Sequence, residues 1–311
     1  MRLTVCVPTY NREQSVAQAV ESILHRQCFD DFELLVIDNC STDDTLEVIR
    51  GFDDSRIRIV RNEKNLGWLV SHNKAMTLAR GQLIQFVHSD DWLLPGCLGS
   101  LVPCFDDRRV GLAFARRKIQ TEFGDWARKY STIHEPLEPL EAVNDGQEII
   151  RRYVLHKANG NWIGEPTSVM FRRDTALAVG GFNPLIKHWT EMDLWLRILA
   201  RTDAAWVDRE LTARWHHAGT LTVTGYEEAL HPAWLDRSSV IAGIARDRCV
   251  ATTTRRGAAA LWCEVQLRNL GRVLLKGEDR RCQLGELARQ TRIVTSGRIS
   301  LAPLPDAIDE E

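Results

Sequence analysis

The sequence predicts an α/β fold: a mostly parallel central sheet flanked by helices, with a helical C-terminal extension. Three patterns carry that reading. Over residues 1–115 short apolar runs alternate with stretches of helical spacing, which places helices on both faces of a parallel sheet. From 120 to 147 the alternation gives way to loop chemistry, Glu135-Pro136-Leu137-Glu138-Pro139 and Asn144-Asp145-Gly146, a candidate mobile segment, and then resumes. From about 220 to 298 the pattern is helical. The division expected is a main domain over 1–222, in halves at about 1–115 and 116–222, and an extension over 223–311.

Leu3 to Val7 reads as a short apolar strand, after which Val16, Ala19, Val20, Ile23 and Leu24 recur at helical spacing. Phe32 to Ile37 is a second strand, ending at Asp38. Ser41 and Thr42 can cap a helix whose first turn carries Asp43 and Asp44, both suited to the positive end of its dipole. Ile57 to Val60 is a third strand, and a helix over 70–80 is closed by Gly81. Leu83 to Val87 is the fourth strand and Val110 to Ala115 the fifth. A helix near 147–157, a strand near 167–172 and a helix near 191–201 follow.

Bulk properties exclude several classes. With 44% hydrophobic and 26% charged residues the chain is neither disordered nor fibrous, and a net charge of −2 gives no pull toward nucleic acid. Eight cysteines without a C-x-x-C pair argue against a zinc site and suggest buried free thiols in a reducing compartment. A strand that begins at Leu3 leaves no room for a signal peptide, and no run of 18 apolar residues spans a membrane. A cytoplasmic enzyme is the expectation.

The fourth strand runs straight into Asp90 and Asp91. Ligands bind at the carboxyl edge of an open α/β sheet, and adjacent carboxylates there coordinate a hard divalent cation that neutralises a phosphate-bearing ligand. The plainer alternative is a solvated turn with Asp91 capping the next helix. The architecture is one that binds nucleotides, although the chain has neither the G-x-G-x-x-G turn nor the Walker lysine loop.

Six ordered segments, VPTYNRE (Val7 to Glu13), VIDNCSTDDT (Val36 to Thr45), NLGW (Asn65 to Trp68), VHSDDW (Val87 to Trp92), GGFN (Gly180 to Asn183) and TEMDLWLR (Thr190 to Arg197), make residues 3 to about 222 resemble family 2 glycosyltransferases. The resemblance implies a GT-A, Rossmann-like fold and inverting transfer of a sugar from a nucleoside diphosphate donor, with UDP- or dTDP-sugars favoured. The acceptor is a hydroxyl of a glycan or lipid-linked carrier, and the setting is surface polysaccharide assembly. It implies a donor site at Pro8, Thr9, Tyr10, Arg12, Asp38, Asn39, Asn65, Gly67, Asn73 and Asp90. Asn39 replaces the more usual aspartate. An amide both donates and accepts where a carboxylate only accepts, which leaves the base read there open. Asp90 and Asp91 would hold Mn2+ or Mg2+ with His216, and His88 stands where the first acid of the metal motif often does. His217 fits that histidine role by spacing as well.

By the same resemblance Glu191 is the base that takes the proton from the acceptor hydroxyl, with Asp193 as the second acid, facing differently on the helix and supporting the helix start or the acceptor, and Trp162, Gly181, Phe182 and Glu191 face the acceptor. Gly180-Gly181 suits a tight turn of positive φ, although a helix C-cap reads equally well. The run GEPTSVMFRR (Gly164 to Arg173) matches the segment that lines the acceptor side in that family, and within it Arg172 or Arg173 could meet phosphate. Two rivals remain: a catalytically silent sugar- or nucleotide-binding module, and a sugar nucleotidyltransferase. The second would need a Gly-rich, Arg-containing loop after the first strand, which this chain lacks. Residues 237–298 carry thirteen basic against five acidic side chains. That extension either touches an anionic membrane face or packs Trp262, Leu267, Leu270, Val273 and Leu274 against the main domain or a second subunit of a homodimer.

Overall fold

The computed structural model describes residues 1–122, 127, 132–216 and 233–276, with positions 284, 285, 287, 288 and 291. Its first half is built on mainly apolar strands. β1 (Leu3–Thr9) and β2 (Phe32–Asp38) bury nearly every side chain, as strands covered by helices on both sides must. With β3 (Ile57–Arg61) and β4 (Leu83–Phe86) they form a parallel set in the order β3-β2-β1-β4. Between them run α1 (Val16–Leu24), α2 (Thr45–Arg50) and α3 (Trp68–Leu78). Alternate β2 side chains feed two cores, Leu34 and Val36 on one face and Leu35 and Ile37 on the other.

Beyond β4 the sheet is mixed. It adds β5 (Trp92–Leu93), β6 (Val110–Thr121), β7 (Val143–Asn144), β8 (Val169–Arg172) and β9 (Asp203–His216) to make nine strands. β8 lies antiparallel between β4 and β6, and β5 and β7 run antiparallel to β9. The expected fifth strand is longer than its apolar stretch. β6 continues through Arg116-Arg117-Lys118 because it pairs in parallel with β9, with register shifts around Ala115, Arg116 and Arg117. The same sheet therefore runs through both halves of the main domain.

The helices of this half are α4 (Cys97–Leu101), α5 (Gly146–Leu155), α6 (Arg173–Ala178) and α7 (Thr190–Leu199). Asp145 caps α5 by accepting from the N–H groups of Gln147 and Glu148. Two local expectations change. Gly81 does not cap α3, which ends at Leu78; a Cβ at Gly81 would stand 2.4 Å from the backbone of Leu3 and Thr4, so the glycine permits close passage beside β1. The start of α2 moves as well: its N-cap residue is Asp44, not Ser41 or Thr42, and the Asp43 carboxylate accepts from Thr45 N at that positive end and from Thr45 Oγ1 and Glu13 N, joining the loops after β1 and β2.

Two further helices, α8 (Ala233–Arg246) and α9 (Thr252–Lys276), dock beside α5 and α7. Asp236 accepts from Lys187 N and His188 N at 3.0 and 2.7 Å, and Gln147 bonds Cys249 O and Ala251 N. Val273 is buried and Trp262 partly so, but Leu267, Leu270, Leu274 and Leu275 remain 39–80% exposed, so the first three do not pack on the rest of the described chain. No helix among the described residues is long and apolar enough to cross a membrane. Every described cysteine is a free thiol.

Candidate active site

The carboxyl ends of β1, β2 and β4 meet on one edge. β1 delivers Pro8, Thr9 and Tyr10 there. Tyr10 is 42% exposed, while Thr9 is buried with its hydroxyl lacking a hydrogen-bond partner, which suits a group that meets a ligand. Asp38 at the end of β2 is fully buried. It accepts from Ser41 N through both oxygens, and Arg61 Nε lies 3.3 Å away. Asn39 donates to Asn65 Oδ1 at 2.7 Å, and its own oxygen accepts from Asn62 Nδ2 and Leu66 N. Asn65 Oδ1 also accepts from Gly67 N, and Gly67 has a φ of 82°, so these groups shape the loop that opens α3. Arg12 is half-buried and its backbone N–H reaches Thr45 Oγ1.

Asn73 stands elsewhere. Its amide clasps the backbone of Phe182 in both directions, at 2.9 and 2.8 Å. A side chain committed to two backbone bonds is structural in this arrangement. Phe182 and Gly181 are buried, and the φ values of Gly180 and Gly181 are 88° and 67°. Both readings of that pair hold together. The N–H groups of Gly180 and Gly181 close the end of α6 on Leu177 O and Ala176 O, and a Cβ at Gly181 would stand 2.6 Å from Asn73 Oδ1.

At the end of β4 the two aspartates diverge. Asp90 is partly exposed. Asp91 is only 3% exposed, with Oδ2 accepting from Thr167 Oγ1 at 2.8 Å and Oδ1 from Trp215 N at 3.2 Å. His88 Nδ1 lies 3.5 Å from the same carboxylate. Burial raises the Asp91 pKa above its usual range. Burial opposes a charge on His88, but the hydrogen bond and charge of Asp91 outweigh it and raise that pKa. His72, stacked on Phe86 and packed against His88, is depressed to about 3 by burial.

The catalytic candidate Glu191 sits in the first turn of α7, partly exposed, where the helix dipole favours a carboxylate. Burial nonetheless raises its pKa. Asp193 is turned away. Its Oδ2 accepts from Arg197 Nε and Nη2 at 2.9 and 2.6 Å, while Arg197 also donates to Val179 O and Gly181 O. Two residues along a helix face in different directions, so this acid ties α7 to the glycine turn. Trp162 is 6% exposed, its indole N–H donating to Asn159 O and its ring against Tyr153. His216 at the end of β9 is 2% exposed, with a pKa lowered to about 4 by burial; His217 lies outside the described residues.

Sequence reasoning placed the run from Gly164 on the acceptor side but missed the bonds by which it joins these pieces. In Gly164-Glu165-Pro166-Thr167-Ser168, Thr167 holds Asp91 and Ser168 Oγ is 2.8 Å from Thr212 Oγ1 of β9. Gly164 O accepts from Trp195 Nε1 of α7 at 2.9 Å. Glu165, 5% exposed, bonds Arg117 Nη1 through one oxygen (2.5 Å) and Arg214 Nη1 through the other (2.9 Å). Burial works against its charge, yet the two guanidiniums hold its pKa down to about 2. A buried acid before a strand, with two arginines far along the chain, gives no local pattern to read. Arg172 and Arg173 do not meet this edge; both guanidiniums bond backbone carbonyls, of Val110, Phe105 and Asp107, and of Met76 and Thr77.

A metal fits this edge only in one manner. No group of three His, Cys, Asp or Glu side chains is placed to hold an ion among the described residues. Magnesium-type ions, however, bind through one or two carboxylates completed by substrate phosphates and water. The partly exposed Asp90 beside Asp91 offers that.

Comparisons with known proteins bear on the family and the fold. Residues 4–174 match the model for glycosyl transferase family 2. The chain is 37% identical over 286 residues to an uncharacterized protein of Mycobacterium tuberculosis, a match covering 92% of this chain and 89% of that one. It is 27% identical over 121 residues to the Escherichia coli UDP-Glc:alpha-D-GlcNAc-diphosphoundecaprenol beta-1,3-glucosyltransferase WfaP, covering 39% of this chain and 48% of that protein. Among solved structures, S. aureus TarS 1-349 in complex with UDP-GlcNAc superposes with a TM-score of 0.69 at 19% identity, over 97% of this chain and 84% of that one. The expected GT-A fold is thus the one observed.

Proposed function

The chain belongs to glycosyl transferase family 2 and is a glycosyltransferase, and from that premise we propose that it moves a sugar from a UDP- or dTDP-linked donor to a hydroxyl of a glycan or lipid-linked acceptor, with inversion, in polysaccharide assembly. One observation carries the proposal: Glu191, its pKa raised by burial, opens α7 within electrostatic reach of His88, the neighbour of Asp91, and of Arg214. A base poised nearer neutrality is better matched to taking a hydroxyl proton.

In the reaction the acceptor oxygen attacks the anomeric carbon as Glu191 removes its proton. The bond from that carbon to the diphosphate oxygen breaks, its electron pair leaving with the diphosphate. Thr9 and the Tyr10 ring offer a hydroxyl and a flat face for the base, and Asp90 would hold Mn2+ or Mg2+. The cation's part is to neutralise the diphosphate. Asp91 holds Thr167 and the backbone of Trp215 in place behind it.

The test is a donor screen that measures released nucleoside diphosphate from UDP-, dTDP- and GDP-sugars with Mn2+. Turnover of a UDP- or dTDP-sugar is expected. Donor binding without any release, even with glycan acceptors present, would favour a silent binding module instead.

The acceptor named for the E. coli relative is lipid-linked, and the exposed leucines of α9 have Arg268 and Arg272 beside them. This face is proposed to rest on an anionic membrane, where each basic residue near the surface is worth about 1 kcal/mol. Flotation with anionic vesicles at low salt, lost at high salt, is expected. No flotation at low salt, together with a dimer in solution, would assign the leucine row to a second subunit.

A further inference from the structure

The scheme above leaves three charges unused. Glu165, Arg117 and Arg214 come from three segments that meet at the carboxyl edge: the stretch before β8, β6 and β9. One carboxylate bonds two guanidiniums, so Glu165 by itself does not neutralise the pair. Arginines on neighbouring strands repel, and removing the shared acid would leave that repulsion uncompensated in a poorly solvated place.

The two arginines are not equivalent. Arg117 keeps only 3% of its side-chain surface, whereas Arg214 keeps 25%. Arg214 precedes Trp215, whose backbone N–H is bonded to Asp91. Its electrostatic partners include Asp91 and Glu191 as well as Glu165. The segment that carries Glu165 also holds Asp91 through Thr167 and α7 through Gly164 O. The guanidinium is thereby fixed relative to both acids of the site.

We propose that Glu165 is a positioning residue that sets Arg214 at the donor edge as the protein's own cation for the diphosphate, with Arg117 as the buried counterpart that keeps Glu165 charged. A guanidinium suits this because its planar fork meets phosphate oxygens in a fixed geometry. The assignment rests on the glycosyltransferase reading in taking the anion to be a nucleoside diphosphate.

Calorimetric titration of the full chain with UDP and UMP in Mn2+, and with GDP and GMP in parallel, tests it. Glu165→Gln is expected to weaken the diphosphate about tenfold and leave the monophosphate within about twofold. Arg214→Ala should lose the same factor, and the double variant no more than Arg214→Ala alone, because the acid acts through the arginine. Equal loss for diphosphate and monophosphate, or additive losses, would make Glu165 a merely structural residue and overturn the proposal. Should Glu165→Gln fail to fold, native-like diphosphate affinity in Arg214→Ala overturns it equally, as does a native chain that binds no nucleoside diphosphate. A chain that shows the selective loss yet turns over no donor sugar would sink the activity while leaving this assignment standing.

Discussion

Glu191→Gln is expected to bind the donor as the native chain does and to turn over at least about two orders of magnitude more slowly, the usual worth of a positioned base. The amide keeps the shape of the side chain at the start of α7 but cannot accept the acceptor's proton. Burial raises the pKa of Glu191, so the native kcat should rise with pH through a value above the ordinary glutamate range. That limb should be missing from the variant. The sign for stability is the reverse: a carboxyl whose folded pKa is raised contributes stability below its unfolded pKa and loses it as pH rises through the folded one. Glu191→Gln therefore should not lower Tm at neutral pH. Lost donor affinity with a high residual rate would show the residue to be structural, and an unchanged pH profile would place the base elsewhere.

The elements legible in the sequence are those whose signal is local. β1, β2 and β4 are mainly apolar, broken by the buried Thr4, Glu33 and Gln85, because helices cover both faces, and each run leads into the polar residues that reach the edge. The placement of Asp90 and Asp91 follows from that. Direction is not local: four residues, Val169–Arg172, read as a strand, but nothing in them says that they run antiparallel between β4 and β6. The same limit hid the structural duties of polar residues. Asn73 clasps Phe182 and Asp193 clasps Arg197, one across more than a hundred residues and the other at helical spacing but on the face away from Glu191. Motif position gave Asn73 to the nucleotide, and left Asp193 between supporting the helix and meeting the acceptor. Glu165 was invisible for the opposite reason, since its partners lie 48 and 49 residues away.

The divergence of Asp90 and Asp91 makes two adjacent carboxylates separable by experiment. Asp90→Asn removes the partly exposed charge and leaves the bonds of Asp91 in place, so Tm should fall less than in Asp91→Ala while Mn2+-dependent UDP binding and transfer fall by about two orders of magnitude or more. Asp91→Ala should abolish transfer by another route. It leaves the Thr167 hydroxyl and the Trp215 N–H without their acceptor in a buried place, at a cost of about 1–3 kcal/mol each, and Tm should fall with activity. Asp91→Asn is the finer probe. One of its two ends becomes an NH2 facing a donor, so it should lose part of that stability although the volume is unchanged. EDTA should silence the native chain, and full turnover in excess EDTA would remove the cation from the scheme. Were Asp90→Asn instead the destabilised variant and Asp91→Asn the one that merely loses Mn2+-dependent binding, the roles of the two acids would have to be exchanged.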